Sequence, residues 1–193
     1  MARQSVQLRQ ATRLKPFERS VPVGLQVTAE LIWDQRGWLE LSYGVLSTAA
    51  TGLADLVLPG GLVDGEQMAG HRRDELWTTT CFEAFLAPPG QSIYWEINLS
   101  ANGDWAVYRF DDYRRGQVDQ PLSADPTIQL ERRHHQLRLD ASLPIDPWWP
   151  AAEVPDLCLT TVLDRGSSGI SHWSLRHSPQ RADFHDRSLF LTP

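Results

Sequence analysis

Several residue types are scarce in this chain, and each shortage excludes some classes of protein. The 193 residues include two cysteines and two methionines, one of which is Met1. A chain of this length can bury a sizeable core without disulfides or metal. A bond between Cys81 and Cys158 is compatible with the sequence, but both lie in apolar, strand-like runs, so we expect reduced core thiols. No apolar run approaches the length of a membrane span.

The chain also lacks an excess of basic residues and an apolar N-terminal segment. Its net charge of -6 argues against a general nucleic-acid surface, because phosphate binding requires a basic footprint. The opening residues MARQSVQLRQATRLKPF contain no apolar stretch typical of a secretory signal, so we expect a cytoplasmic protein with no membrane partner. The content of 41% hydrophobic and 22% charged residues indicates an ordinary globular domain, which we expect to span 1–193. The oligomeric state is left open.

The sequence contains short alternating apolar runs separated by turn residues, and no pattern that predicts a helix of more than about ten residues. Outside the central stretch described next, the predicted strands are 6–8, 24–33, 38–46, 54–59, 127–133, 136–143, 156–164, 169–177 and 188–193. In 38–46, alternate residues share an apolar face. This pattern predicts an all-β antiparallel sandwich.

The best-defined stretch, 77–114, predicts three consecutive antiparallel strands. Its two turn signals are 88–90, with two prolines and a glycine, and Asn102-Gly103, a strong hairpin signal. If Asn102-Gly103 forms a two-residue turn, Glu96 lies opposite Arg109 on the neighbouring strand.

Residue parity in this stretch predicts a polar face. The apolar face consists of Phe82, Ala84, Leu86, Trp95, Ile97 and Leu99. Glu83, Glu96 and Asn98 then share the opposite face. A register that pairs Glu83 with Glu96 produces a row of Glu83, Glu96 and Arg109, in which arginine relieves the repulsion between two carboxylates.

This row has two interpretations, which the residues alone leave open. It could bind sugar hydroxyls, with carboxylates accepting, arginine and amide groups donating, and a tryptophan face stacking on the sugar ring. It could instead be a salt-bridged solvent face or a partly buried ion network. A pair of carboxylates is also typical of glycoside hydrolases, but directly opposed neighbours leave no obvious room for a scissile bond, so we expect no enzyme.

Three segments carry a family resemblance: LWTTTCFEAFL, YWEINLSANGDWAVYRFDDYR and ISHWSLRHSPQRADFHDRSLF. Together they resemble the bacterial DOMON-like proteins, which belong with the DOMON domains and the family nine carbohydrate-binding modules. The resemblance runs from about 38–46 to the end of the chain. It implies an immunoglobulin-like β-sandwich with a ligand pocket and no catalytic triad.

In the family nine modules two tryptophans sandwich a terminal sugar, while carboxylate, amide and arginine groups bond its hydroxyls. Trp77 matches the tryptophan upstream of the acidic strand, and Glu83 matches that strand's carboxylate. Trp173 corresponds to the second ring, and Asn98 and Arg109 match by role and face. The resemblance therefore implies a non-catalytic module for a small or oligosaccharide ligand, with Glu96 joining the site through its shared face.

Three other functions are compatible with the sequence. His172, His177, Asp183 and His185 could bind a metal, although hydrogen bonds from this loop to backbone are the simpler expectation. DOMON relatives that hold haem use Met and His axial ligands, and Met68 is the only internal methionine; no CxxCH is present. The remaining alternative is a protein-interaction domain without a small ligand. We expect no cofactor, with haem as the alternative.

Overall fold

The chain folds as an all-β antiparallel sandwich, as the alternating runs predict. The computed structural model describes residues 6–34, 36–60, 67–68, 70–146, 148–149 and 153–193. Its strands are β1 (Val6–Pro16), β2 (Leu25–Asp34), β3 (Trp38–Ser47), β4 (Gln67–Met68), β5 (Cys81–Ala87), β6 (Tyr94–Ser100), β7 (Trp105–Phe110), β8 (Val118–Asp119), β9 (Thr127–Arg132), β10 (Gln136–Pro144), β11 (Asp156–Asp164) and β12 (Ile170–Ser174). Short 3-10 turns occupy Leu76–Thr78, Gly166–Ser168 and Arg187–Leu189. In the described ranges, no helix is long and apolar enough to cross a membrane.

Two sheets form the sandwich, and β1 joins them. The first sheet has the order β4-β9-β10-β3-β2-β1, and the second has the order β12-β11-β5-β6-β7-β8. Most of β1 pairs with β2, but its last residues Lys15 and Pro16 pair with Ser174 and Trp173 of β12. One strand therefore closes one side of the sandwich.

The main core lies between the two sheets. The predicted face of β3 is confirmed, and the residues buried there are Leu39, Leu41, Tyr43 and Val45. The Tyr43 ring lies 5.3 Å from the Phe82 ring of the second sheet, and its hydroxyl donates to the Glu83 carbonyl at 2.6 Å. Both cysteines lie buried and unbonded to each other, in the core positions that their apolar runs predict.

Two strand predictions are wrong, and a third has the correct start but is too short. The segment 54–59 forms a turn, in which Leu56 is buried without any strand pairing. The segment 188–193 contributes only a bridge between Leu191 and Leu157. The predicted strand 6–8 is instead the eleven-residue β1, because pairing with β2 extends it through polar residues that carry no alternating pattern.

The predicted register of the β6–β7 hairpin is wrong by one residue. Ser100 donates its N–H to the Asp104 carbonyl at 2.9 Å, so the loop has three residues instead of two. Its last residue, Gly103, has φ of 88°, typical of a hairpin that adds one left-handed residue to a type I turn. Glu96 therefore pairs with Tyr108, and Arg109 pairs with Trp95.

The predicted register of β5 on β6 is also wrong, but by two residues. Glu83 pairs with Asn98, and Glu96 pairs with Phe85. Since side chains alternate with a period of two, a shift of two residues preserves their face. The prediction that Glu83, Glu96 and Asn98 share one face is therefore confirmed.

Candidate functional site

A second buried cluster covers the outer face of the second sheet, opposite the main core. It combines side chains of β5, β6, β7 and β11 with residues near the C-terminus, and includes Phe85, Tyr94, Tyr108, Phe110 and Phe190. Residues 181–190 are called the covering segment below, and between them and this face lies a pocket of about 370 Å³. Its lining residues are Trp77, Glu83, Phe85, Glu96, Phe110, Arg114, Gln117, Val162, His172, Ala182, Phe184 and His185.

Two buried carboxyl groups form part of the pocket lining. Glu83 is 2% exposed; its Oε2 accepts from the Thr160 hydroxyl at 3.0 Å, while Oε1 has no hydrogen-bond partner. Glu96 is 5% exposed, and its Oε1 accepts from the Asn98 amide at 2.8 Å. Burial, and then the Glu96 charge, raises the pKa of Glu83 to about 8. Burial also raises the pKa of Glu96 to about 7, against the lowering effects of Asn98 and Arg114.

Burial keeps His185 neutral at the pocket, and its contact with Tyr94 sets which ring nitrogen carries the proton. The Tyr94 hydroxyl accepts the Arg114 backbone N–H at 3.1 Å and lies 2.7 Å from His185 Nδ1. Burial, with the nearby Arg114 charge, lowers the pKa of His185 to about 4, so the ring is neutral near pH 7. We assign the Tyr94 proton to the bond with Nδ1, which places the ring proton on Nε2, 3.6 Å from Glu96 Oε2.

Asp183 holds the covering segment against the sheet. It is 5% exposed and accepts from the Tyr113 hydroxyl at 2.6 Å, from the Arg114 guanidinium at 3.1 Å and from the His185 backbone N–H at 3.2 Å. Arg181 also lies 2.8 Å from this carboxylate. Burial alone would raise the pKa of Asp183, but the bonds from Tyr113 and Arg114 outweigh it and lower the pKa. An ionised Asp183 therefore sets the position of His185 beside the pocket.

The segment before β5 positions Trp77. Residues 70–74 run beside the start of β7, where Trp105 donates its N–H to the His71 carbonyl and its own carbonyl accepts from Arg73 N–H. Glu75 then adopts φ of 61°, a rare conformation for a residue with a side chain, and turns the chain into Leu76–Thr78. The Trp77 ring is 39% exposed and meets the Tyr108 ring edge-on at 6.1 Å.

Phe184 and His172 complete the side of the pocket near β12. The Phe184 ring lies 6.5 Å from Phe85 and 5.9 Å from His172. His172 Nδ1 lies 2.7 Å from a Glu18 carboxylate oxygen, which can only accept. This contact with Glu18 orients the His172 ring at the pocket wall.

The four residues considered as metal ligands have other partners. His172 bonds Glu18, and His177 Nε2 donates to the Lys15 carbonyl at 2.7 Å. Asp183 and His185 take part in the contacts described above, so the expectation that this loop bonds backbone is confirmed. Across the described ranges, no group of three His, Cys, Asp or Glu side chains is arranged to hold a metal ion.

The structure brings together only part of the predicted site. Trp77, Glu83 and Glu96 line the pocket, and Asn98 supports Glu96. Arg109 lies on the opposite face and pairs with Asp111 at 2.7 Å, because the one-residue register shift reverses its direction. Its predicted place in the row is wrong.

Trp173 is also misplaced by the prediction. It is 2% exposed in the main core, and its Nε1 donates to Ser171 Oγ at 3.0 Å. Ser174, the next residue on β12, pairs with Thr160, whose side chain faces the pocket and bonds Glu83. Because side chains alternate along a strand, Trp173 points to the opposite face of the sheet, towards the main core. The side chain of Met68, considered for haem, lies outside what the structure describes.

Sequence reasoning missed several lining residues. Phe85 could have been found, because it shares the parity of Glu83 on β5. Arg114 and Phe184 lie in segments without an alternating pattern, and His185 had been considered only as a metal ligand. Phe184 and His185 reach the pocket through the covering segment, and Arg114 reaches it from the loop after β7, where it bonds Asp183.

Comparison with solved structures finds proteins of similar fold. The chain is similar to a candidate carbohydrate-binding protein from Bacteroides uniformis, with a TM-score of 0.63 and 14% identity over 94% of this chain and 84% of that one. The chain shares the fold of that protein. It is also similar to a family 9 carbohydrate-binding module from Caldicellulosiruptor kristjanssonii in complex with glucose, with a TM-score of 0.48 and 13% identity over 89% and 76% of the two chains. No family model and no curated protein matches the chain, and the resemblance to DOMON-like proteins stays a prediction.

Proposed function

We propose that this protein is a non-catalytic module that binds a small carbohydrate in the pocket on its second sheet. The observation that carries the proposal is the exposed Trp77 ring beside two buried carboxyl groups in one pocket of about 370 Å³. This volume lies near the lower end of the range for ligand pockets, about 300–1,000 Å³. A sugar ring offers apolar C–H groups for an aromatic face and hydroxyls for polar groups, so it matches both parts of the lining.

Each lining group has a role in this proposal. Trp77 stacks on one face of the sugar, and Phe184 supplies a second aromatic surface from the covering segment. The unpartnered Oε1 of Glu83 accepts from a hydroxyl, and satisfying a buried polar atom favours binding. His185 Nε2–H and the Arg114 guanidinium donate to sugar oxygens.

The placement of the carboxyl groups favours binding over hydrolysis. Glu83 and Glu96 are diagonal neighbours on adjacent strands, because Glu83 pairs with Asn98 and Glu96 with Phe85. They therefore project from the same sheet face, whereas glycoside hydrolases place their carboxyl groups on either side of the scissile bond. The description of the Bacteroides uniformis protein as a candidate for carbohydrate binding agrees with this proposal.

Isothermal titration against a panel of mono- and oligosaccharides tests the proposal. We expect heat of binding with at least one sugar, and we expect Trp77→Ala to abolish it because the stacking surface is removed. Trp77→Phe should retain part of the affinity, and Val23→Ala, at a 97% exposed residue away from the pocket, serves as the control. The absence of heat with every sugar at millimolar concentration would contradict carbohydrate binding, and unchanged affinity in Trp77→Ala would contradict this site.

A further inference from the structure

The bottom of the pocket presents acceptor atoms without a matching cation. Glu83 Oε1 is buried and has no hydrogen-bond partner. In the part of the chain that the structure describes, no ion pair involves Glu83, and the ion-pair neighbour of Glu96 is His185 at 3.6 Å.

Neighbouring groups do not supply a cation to these two carboxyl groups. His185 is neutral near pH 7, because burial and the Arg114 charge lower its pKa to about 4. Arg114 is the cation among the described lining residues, and its guanidinium is bonded to Asp183 at 3.1 Å. Two carboxyl groups therefore share a buried site where the nearest guanidinium already has a carboxylate partner.

We propose that the pocket selects a ligand with a protonated amine, namely an amino sugar over its neutral counterpart, and that the ammonium group lies against Glu83 and Glu96. This inference rests on the proposed carbohydrate function. An ammonium group carries three N–H donors and no acceptor, which complements the acceptors of these residues. The Trp77 ring adds an aromatic face that attracts cations.

The raised carboxyl pKa values give this selection a second consequence, the release of protons. Burial raises the pKa of Glu83 to about 8 and that of Glu96 to about 7, so in the free protein near pH 6 both carboxyl groups hold their protons. A bound ammonium favours the ionised forms, and protons pass to the buffer. The other titratable or charged groups around the two carboxyls are Tyr43 on β3, Cys81 on β5, Tyr94 on β6, Tyr108 on β7, Cys158 on β11, His172 on β12, and Arg114, Asp183 and His185 from the loops.

Titration with matched sugar pairs tests the inference. The pairs are glucose and glucosamine, galactose and galactosamine, and mannose and mannosamine, which differ only in a hydroxyl or an ammonium group at one carbon. Measured at about pH 6 in two buffers of different ionisation enthalpy, heats of binding give both the affinity and the number of protons released. We expect the amino sugar of the recognised pair to bind about tenfold more tightly or better, with net proton release.

Variants assign the effect to the carboxyl groups. Glu83→Gln should bring the affinity ratio within a pair close to one and reduce proton release, and Glu96→Gln should do so in part. His172→Gln should leave proton release by the amino sugar in place. Circular dichroism of each variant confirms its fold before titration.

The outcomes separate this inference from the proposed function. A neutral sugar that binds as tightly as its amino counterpart would overturn the inference and leave carbohydrate binding intact. Preference for the amino sugar without proton release, or preference that survives Glu83→Gln, would overturn the assignment to these carboxyl groups. Failure of both members of every pair to bind would overturn the proposed function and this inference with it.

Discussion

Glu83 shows how strongly a single residue can be shaped by its surroundings. Its side chain lies between the Thr160 hydroxyl, the Cys81 thiol and the Glu96 carboxyl, and one of its oxygens has no partner. Burial penalises the ionised form, and the charge of Glu96 adds to that penalty. The side chain is therefore costly for stability, which is typical of groups kept for binding.

The pH dependence of stability should reveal this cost. The folded pKa of Glu83, about 8, lies above its ordinary value of 4.5, so the folded state binds the proton more tightly than the unfolded state. Stability from this group is fully present below pH 4.5 and is lost as the pH rises towards 8. We expect wild type to lose up to a few kcal/mol of unfolding free energy relative to Glu83→Gln across this window, measured by urea denaturation.

The comparison with the variant isolates Glu83 from other titrating groups. His185 acts in the opposite direction, because its lowered pKa favours the folded state as the pH rises from 4 to 6.5. Glu40→Gln, at an exposed position, is the matched control and should parallel wild type. A difference between wild type and Glu83→Gln that stays constant with pH would show that Glu83 is ionised in the folded protein.

At the scale of the strand, the alternation of apolar residues predicted well which side chains share a face of the sheet. It predicted poorly which residues pair between neighbouring strands. The parity of Glu83, Glu96 and Asn98 follows from their own strands, so their shared face could be predicted from sequence. The side to which Arg109 points depends on whether the loop before β7 has two or three residues, and both lengths are compatible with Asn102-Gly103. The Asn102 side chain accepts from the Asp104 N–H at 3.1 Å, a contact within the loop that the dipeptide pattern does not specify.

The segment that carries Trp77 depends on a close approach between Gly70 and the same hairpin loop. A Cβ placed on Gly70 would lie 1.7 Å from the Gly103 carbonyl oxygen and 2.5 Å from the Asp104 nitrogen, both of them backbone atoms. We expect Gly70→Ala to push residues 70–74 away from β7 and displace Trp77. Unfolding free energy should fall by about 1–3 kcal/mol or more, and sugar affinity should fall with it, as measured by urea denaturation and titration.

Gly90→Ala is the matched control for that change. Gly90 has φ of 73° and open space where a Cβ would lie, so alanine there costs only backbone strain of about 1–2 kcal/mol. Gly90 lies outside the pocket lining, and its variant should keep full affinity. Equal affinity in the two variants would show that Trp77 is held independently of the 70–74 contact.

At the scale of the whole molecule, the pocket depends on segments that have no pattern of their own. The sandwich could be predicted because its strands alternate, and the outer face of the second sheet could be recognised by its carboxyl groups. The covering of that face could not, because it depends on long-range contacts such as the Asp183 bond to Tyr113. For the same reason, Arg114 and Phe184 could not be predicted as lining residues, because tertiary contacts and not local propensity set their positions.

The strand β1, of which the sequence pattern predicted only the first residues, is the one that couples the two sheets. Leu14 is buried in the main core opposite Val27, next to the residues at which β1 passes from one sheet to the other. Leu14→Ala should lower the unfolding free energy by about 2–5 kcal/mol, because it leaves a cavity at this junction, whereas the exposed neighbour Arg13→Ala should change it by about 0.5 kcal/mol or less. Since one strand belongs to both sheets, tryptophan fluorescence and circular dichroism should report one coincident urea transition in both variants. Separate transitions, or a small effect of Leu14→Ala, would show that the sheets are stable without this strand.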